Sequence, residues 1–139
     1  MTLTKQYNLL INEWMGNLGL PKNYDDENKL LVLNVDDRFD IRCCFMDSGK
    51  IIFIAEWPMQ VSSKQVLVWA LEANRPVSSE MQPVIALRDG KRWQCWLDLP
   101  LVGCDLSTLH QAFTAVVRRV EWMRNDAGVD TRTHNMQFV

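Results

Sequence analysis

The four cysteines and two histidines are the side chains of this 139-residue chain best suited to act as nucleophile, base or metal ligand. Cys95 or Cys104 with His110 could in principle form a thiol–imidazole pair, which is how many enzymes activate a cysteine. No local signature accompanies them, and no third group that would orient the imidazole is evident. We therefore interpret His110 as a residue on a helix flank, and the cysteines as reduced, buried thiols. We predict no catalytic residue.

Metal and phosphate sites find as little support in the residue spacing. No Cys or His pair has zinc-knuckle spacing, and HExxH, GxGxxG and GxxxxGK[ST] are all missing from the sequence. Asp36, Asp37 and Asp40 form one acidic cluster, and 25–27 form another. Neither has the alternating oxygen ligands and glycine of a calcium loop, so we interpret both as solvated turns. We expect neither a metal nor a cofactor.

Composition and charge restrict the class of protein further. Hydrophobic residues make up 47% of the chain and charged residues 23%, as in one folded domain with its own core. The formal charge of −2 gives no electrostatic reason to expect nucleic acid as a partner. The first apolar cluster, at 9–11, is short, and no apolar run approaches the roughly 18 residues of a membrane span. We expect a cytoplasmic protein without a signal peptide or membrane insertion.

Two periodicities define the first half of the chain. Apolar residues at helical spacing predict an amphipathic helix from Thr4, its expected N-cap, to Leu18. Three short runs rich in β-branched and aromatic residues follow, at 30–35, 39–46 and 51–57. Short polar connections join them, so we predict an antiparallel meander.

The second half repeats the alternation of helix and hairpin. A second helix is expected from Ser62 and Ser63, as caps, to about residue 74. The Asp89–Gly90 pair between 84–88 and 93–99 predicts a hairpin, and Asp105 is the expected N-cap of a last helix. The order α-β-β-β-α-β-β-α predicts an α+β fold in which helices flank a mainly antiparallel, twisted sheet. We predict a domain at 1–124 and a flexible tail at 125–139.

Apolar residues exceed what one core needs, and they include six tryptophans. Trp93 and Trp96 lie three apart on one predicted strand, so they point to opposite faces. A monomer with a slightly apolar surface would explain this, but an aromatic-rich surface patch more often marks a protein interface. We favour the interface.

These features together resemble the class I type III secretion chaperones, the superfamily that includes the Tir chaperone. The resemblance covers Thr4 to Arg124. It rests on the element order, on an opening helix of the form Tyr7-x-x-Leu10-Ile11-x-x-Trp14, and on the strand pattern after it. It implies a cytoplasmic bacterial homodimer around which the N-terminal segment of a secreted effector wraps in extended form, which keeps the effector soluble and competent for export. It leaves open whether the complex docks on the secretion ATPase.

The resemblance places the dimer interface on the second helix and an adjoining strand, at Val66, Leu67, Trp69, Ala70, Leu71 and Trp96. The effector groove is expected at apolar positions of the first sheet. These are Leu31, Leu33, Cys44, Met46, Ile52 and Ile54, a set that spans both faces because the sequence does not decide between them. One alternative is an adaptor or regulator of the secretion apparatus that binds a folded partner. Another is a small enzyme or ligand-binding α+β domain with a reactive Cys95 or Cys104.

Overall fold

The computed structural model describes residues 2–20, 24–25, 30–58, 64–76 and 81–127, with backbone alone at 24–25 and 126–127. The described elements alternate as predicted, and the α+β class is confirmed. The helices are α1 (Leu3–Leu18), α2 (Lys64–Ala73) and α3 (Leu106–Glu121), and α3 continues into a π-helical turn, Trp122–Ala127. The strands are β1 (Tyr24–Asp25), β2 (Leu30–Val35), β3 (Phe39–Phe45), β4 (Lys50–Pro58), β5 (Val84–Arg88) and β6 (Arg92–Pro100).

One six-stranded sheet carries all of these strands in the order β1-β2-β3-β4-β6-β5, and every neighbouring pair is antiparallel. The hairpin of β5 and β6 therefore joins the meander through β6, which pairs with β4, and β5 lies at the edge. The two-residue strand β1 adds a short partner to β2 and was not predicted.

Tight turns define the register of two hairpins. Asp36 and Asp37 have φ of 50° and 57°, and Arg38 N donates to Val35 O at 2.9 Å. Asp89 and Gly90 have φ of 54° and 64°. Positive φ at both central residues is the type I′ geometry, whose twist matches that of the flanking strands. The acidic pair Asp36–Asp37 is thus an exposed turn, as predicted.

The helix ends follow their capping chemistry, with one correction. Thr2 rather than Thr4 caps α1, because its Oγ1 accepts from Lys5 N at 3.2 Å and places Thr4 within the first turn. Gly19 ends the helix at φ 69°, in the left-handed conformation that glycine adopts most easily. Asp105 caps α3 as predicted, with Oδ1 accepting from Thr108 N at 2.8 Å. Ser62 and Ser63, the expected caps of α2, lie outside the described residues. So does most of the tail expected at 125–139, from 128 onward, while its first three residues, 125–127, belong to the π-helical turn.

The core lies between one face of the sheet and the helices α1 and α3. Trp14 of α1 contacts Phe53 of β4 and Phe113 of α3 edge to face, with ring centroids 5.7 and 5.3 Å apart. Such pairs add to the free energy that burial alone supplies. Helix α2 is tied to the sheet edge by Asn74, whose side-chain amide exchanges two 2.8 Å hydrogen bonds with the backbone of Ile85. One face of the sheet is therefore covered.

Candidate functional site

The opposite face of the sheet, here called the open face, follows from the strand register. Five residues are paired in succession across the strands β2, β3, β4, β6 and β5: Val32, Arg42, Ile54, Trp96 and Val84. Partners in a ladder point to the same side, so these five side chains form one continuous row. We call it the apolar row, with Arg42 as its charged member. It crosses five strands and is about 19 Å long, because neighbouring strands lie about 4.8 Å apart.

Burial separates the two faces. The core face carries residues that are almost fully buried, such as Ile41 and Phe53 at 0% exposure. None of the described residues that share the face of the apolar row is buried, and its aliphatic and aromatic members are half-buried. A second row beside it pairs Leu30, Cys44, Ile52 and Asp98. The open face thus offers a partner an extended, mostly apolar surface in which Arg42 and Asp98 are the charged members of the two rows.

Charged side chains border this apolar surface. Glu56 accepts hydrogen bonds from Gln94 Nε2 at 2.8 Å, from Arg88 Nη1 at 3.0 Å and from Arg92 Nε at 3.3 Å. The hydrogen bond from Gln94, followed by those of the arginines, lowers the pKa of Glu56 below its ordinary value. Lys50 and Asp98 form a longer ion pair at 3.7 Å. Apart from Arg42, the open face is therefore apolar in the middle and polar at its border, as partner-binding surfaces commonly are.

The six predicted groove residues divide between the two faces. Cys44, Ile52 and Ile54 lie on the open face, and the half-buried Met46 follows β3 in the turn. Leu31 and Leu33 face the core, with exposures of 0% and 5%. The register causes the division, because Leu31 pairs with the buried Cys43 and not with Cys44. Leu31 and Leu33 cannot contact a partner while the core is intact; the groove role of the others stays a prediction.

The six residues predicted for the dimer interface also differ in exposure. Val66 and Ala70 are buried in the core of the protomer, while Leu67 and Trp69 are half-buried against it. Leu71 is 71% exposed on the outer surface of α2, and Val68, one turn earlier on the same helix, is 41% exposed. Trp96 lies in the apolar row, and Trp93 is buried on the other side, so the predicted division of these two tryptophans is confirmed.

Sequence reasoning did not select Val32 or Val84 for the effector groove. The signal that would have found them is the pairing of Val32 with Arg42 and of Val84 with Trp96. That pairing depends on strand register and on the position of β6 beside β4, which composition and periodicity do not contain.

None of the described contacts pairs a cysteine thiol with the imidazole of His110. Burial raises the pKa of Cys43 and of Cys95 to about 12, partly offset at Cys43 by a hydrogen bond with Tyr7 Oη at 3.6 Å. Burial also raises the pKa of Cys104, whose Sγ donates to the Asp105 carbonyl at 3.6 Å. His110 Nδ1 accepts from Trp14 Nε1 at 3.2 Å. Because the thiolate is the nucleophilic form, these environments disfavour cysteine chemistry.

The described residues contain no group of three or more His, Cys, Asp or Glu side chains able to hold a metal ion. Within the described ranges, none of the helices combines the length and apolar character needed to cross a bilayer.

Comparison with known structures shows where else this fold occurs. The ExsC–ExsE complex contains a chain that matches with a TM-score of 0.79 at 17% identity, over 94% of this chain and 100% of that one. The Yersinia pestis type III secretion chaperone SycH, solved with a fragment of YscM2, matches with a TM-score of 0.70 at 18% identity, over 81% of this chain and 95% of the other. A chain of the HopA1–SchA chaperone–effector complex matches with a TM-score of 0.68 at 17% identity, over 87% of this chain and 92% of that one.

Sequence comparison assigns the family. No curated protein sequence matches the chain significantly. The model of the Tir chaperone protein (CesT) family, in contrast, matches residues 9–124, which include α1 from its middle, all the strands and α3. This match and the shared fold confirm the resemblance inferred from the element order and the opening helix. The chain therefore belongs to the Tir chaperone protein (CesT) family.

Proposed function

We propose that this protein is a cytoplasmic type III secretion chaperone that binds the N-terminal segment of a secreted effector and keeps it soluble and export-competent. The observation that carries the proposal is the apolar row on the open face. Val32, Ile54, Trp96 and Val84 are half-buried there, although the helices already complete the core on the other face. Membership of a chaperone family, and relatives solved as complexes with partner proteins, support this use of the surface.

The dimensions of the apolar row favour a bound segment over a large folded domain. A row of about 19 Å equals roughly 13 residues of α-helix or six of an extended strand. A short amphipathic segment can cover that length with three or four apolar side chains, as in helix-in-groove recognition. A segment that becomes ordered on binding loses conformational entropy, so the surface must supply apolar contacts to compensate.

Binding without chemistry is part of the proposal. The two most buried thiols have raised pKa values, and the imidazole of His110 already accepts a hydrogen bond from an indole. We propose that the protein is not an enzyme, that it acts as a homodimer, and that its work is to hold the partner.

The test begins with identification of the partner. The tagged chain is purified from its native host, the co-purified protein is identified by mass spectrometry, and the first 100 or so residues of that protein are produced as a fragment. Binding of the fragment is then measured for the wild type, Trp96→Glu, Val32→Glu and Val102→Glu. Val32 lies in the apolar row but outside the predicted dimer interface, so Val32→Glu separates loss of the binding surface from loss of the dimer. Val102 is the control because it is 72% exposed in the turn after β6, away from the apolar row. Placing an unpaired charge in an apolar contact costs several kcal/mol, or more than a hundredfold in Kd.

We expect Trp96→Glu to weaken binding by at least that factor and Val102→Glu to leave it unchanged. Hydrogen exchange on the fragment should show protection along a continuous segment that has no cooperative core of its own. A compact domain bound at this surface, or equal binding by Trp96→Glu, would refute the chaperone proposal in favour of an adaptor that binds a folded partner.

A further inference from the structure

The ladder between β3 and β4 ends early and opens a fork in the sheet. Arg42–Phe45 of β3 pair with Ile51–Ile54 of β4, and the Arg42–Ile54 pair is the last. Beyond it, residues 39–41 pair with β2 alone and 55–58 with β6 alone. The two strands therefore separate in the middle of the sheet. We call this gap the fork.

A cleft of about 310 Å³ occupies the fork. Its apolar walls are Phe39, Ile54, Trp57 and Pro58. Small-molecule sites occupy roughly 300–1,000 Å³, so this cleft is at the lower end of that range. It suits one or two side chains of a peptide better than a large ligand.

Four arginines surround the cleft: Arg38, Arg42, Arg92 and Arg124. Arg38 forms ion pairs with Asp36 and Glu121, and Arg92 bonds to Glu56. Arg42 and Arg124 have no carboxylate within ion-pair distance among the described residues. The guanidinium of Arg124 instead lies 5.6 Å from the ring centroid of Phe39.

The two acids that line the cleft form their hydrogen bonds with other side chains than Arg42 and Arg124. Asp40 Oδ1 accepts from Asn34 Nδ2 at 2.9 Å. Glu56 accepts from Gln94, Arg88 and Arg92. Among the described residues, the fork thus presents two guanidinium groups that have no carboxylate partner, beside an apolar wall.

We infer that the fork binds a peptide segment in which an Asp or Glu lies next to an apolar residue. The carboxylate would accept from Arg42 and Arg124, whose planar donors match a carboxylate bidentately, and the apolar neighbour would contact Ile54 and Pro58, the more exposed of the apolar residues that line the cleft. A polyanion is a poorer fit because Asp40 and Glu56 interrupt the positive charge and the whole chain has a formal charge of −2. The inference rests on the proposed function only for the origin of the segment in a secreted effector; the residue types that it should contain follow from the cleft itself.

The experiment uses a library of random dodecapeptides displayed on phage and selected against the whole chain. Enriched peptides are synthesised, and their Kd values are measured by fluorescence polarisation with the wild type, Arg42→Gln, Arg42→Gln/Arg124→Gln and Arg118→Gln. Arg118 is the control because it is an exposed arginine on α3 and does not line the cleft. We expect enriched peptides to contain an acid beside an apolar residue and each lost guanidinium to weaken binding about tenfold, the effect of one charge-assisted hydrogen bond. Arg118→Gln should bind like the wild type.

Three further measurements decide between outcomes. Replacing the peptide acid by its amide should weaken wild-type binding and have little effect on the double variant. Arg42→Lys should bind with intermediate affinity, because it keeps the charge but not the bidentate geometry. Peptides without acid enrichment, equal binding by the folded double variant, or tighter binding of a poly-U oligonucleotide at Arg42 would overturn the inference. If the peptide experiment fails while Trp96→Glu still weakens binding of the effector fragment, the inference about the fork is wrong and the proposed function stands.

Discussion

The outer surface of α2 gives the sharpest test of the expected homodimer. Leu71 is 71% exposed in the protomer, so a change there costs the isolated fold little. Burying a whole leucine side chain contributes about 1.5–3 kcal/mol, and the exposed part of Leu71 would therefore contribute about 1–2 kcal/mol. A two-fold interface contains each residue twice, so Leu71→Ala should lower the free energy of dimerisation by about 2–4 kcal/mol per dimer. Leu71→Glu adds the desolvation of two like charges.

Sedimentation velocity measures this directly. The wild type should sediment at twice the chain mass at micromolar concentration. The lost dimerisation free energy corresponds to a dimer Kd raised by a factor of about 30 to 1,000 for Leu71→Ala, and by more for Leu71→Glu. The Tm of the monomeric variant reports whether the fold is intact, and Val102→Glu is again the matched exposed control. A dimer of unchanged Kd in Leu71→Glu would show that α2 is not at the interface. A wild type that stays monomeric at high concentration would refute the homodimer itself.

Three further predictions concern stability and thiol chemistry. Asp105→Ala removes the α3 cap and should lower the free energy of unfolding by about 1 kcal/mol, or the Tm by about 4 °C, in thermal melts. Since the pKa of Glu56 is lowered in the fold, its contribution to stability is present above its ordinary pKa of 4.5 and is lost as the pH falls through the lowered value. Glu56→Gln should therefore reduce the acid dependence of urea unfolding, and an unchanged dependence would contradict this account. Cys43 and Cys95, with pKa values of about 12, should react with a disulfide reagent at pH 8 only as fast as the protein opens; rapid reaction in the native state would show that these sites are not closed.

Local chemistry explains why most element boundaries could be predicted. The turn Asp89–Gly90 adopts positive φ at both residues, and 84–88 matches strand β5 residue for residue. Strand β2 likewise matches the predicted 30–35. In such segments the turn residues and the strand composition point to the same structure, so no tertiary information is needed.

The candidate site required information that a single sequence lacks. Strand β2 is apolar on both sides, with Leu31 and Leu33 alternating with Leu30 and Val32, so periodicity alone does not say which side the helices cover. The register decides it, and a shift by one residue would exchange the faces. The fork is harder still to predict, because it depends on where pairing between β3 and β4 ends, which no residue in either strand signals.

The apolar row and the fork are parts of one continuous surface, because the Arg42–Ile54 pair belongs to both. A segment that lies along the row therefore reaches the fork without a turn. The two parts would contribute differently to recognition. Apolar contact along Val32, Trp96 and Val84 tolerates many sequences, since burial is roughly proportional to area and has no direction. A carboxylate bound by Arg42 fixes the position of the segment along the row, because a shift of one residue would leave that charge desolvated and unpaired. Affinity from the row and register from the fork would let one surface hold an otherwise unstructured partner in a single alignment.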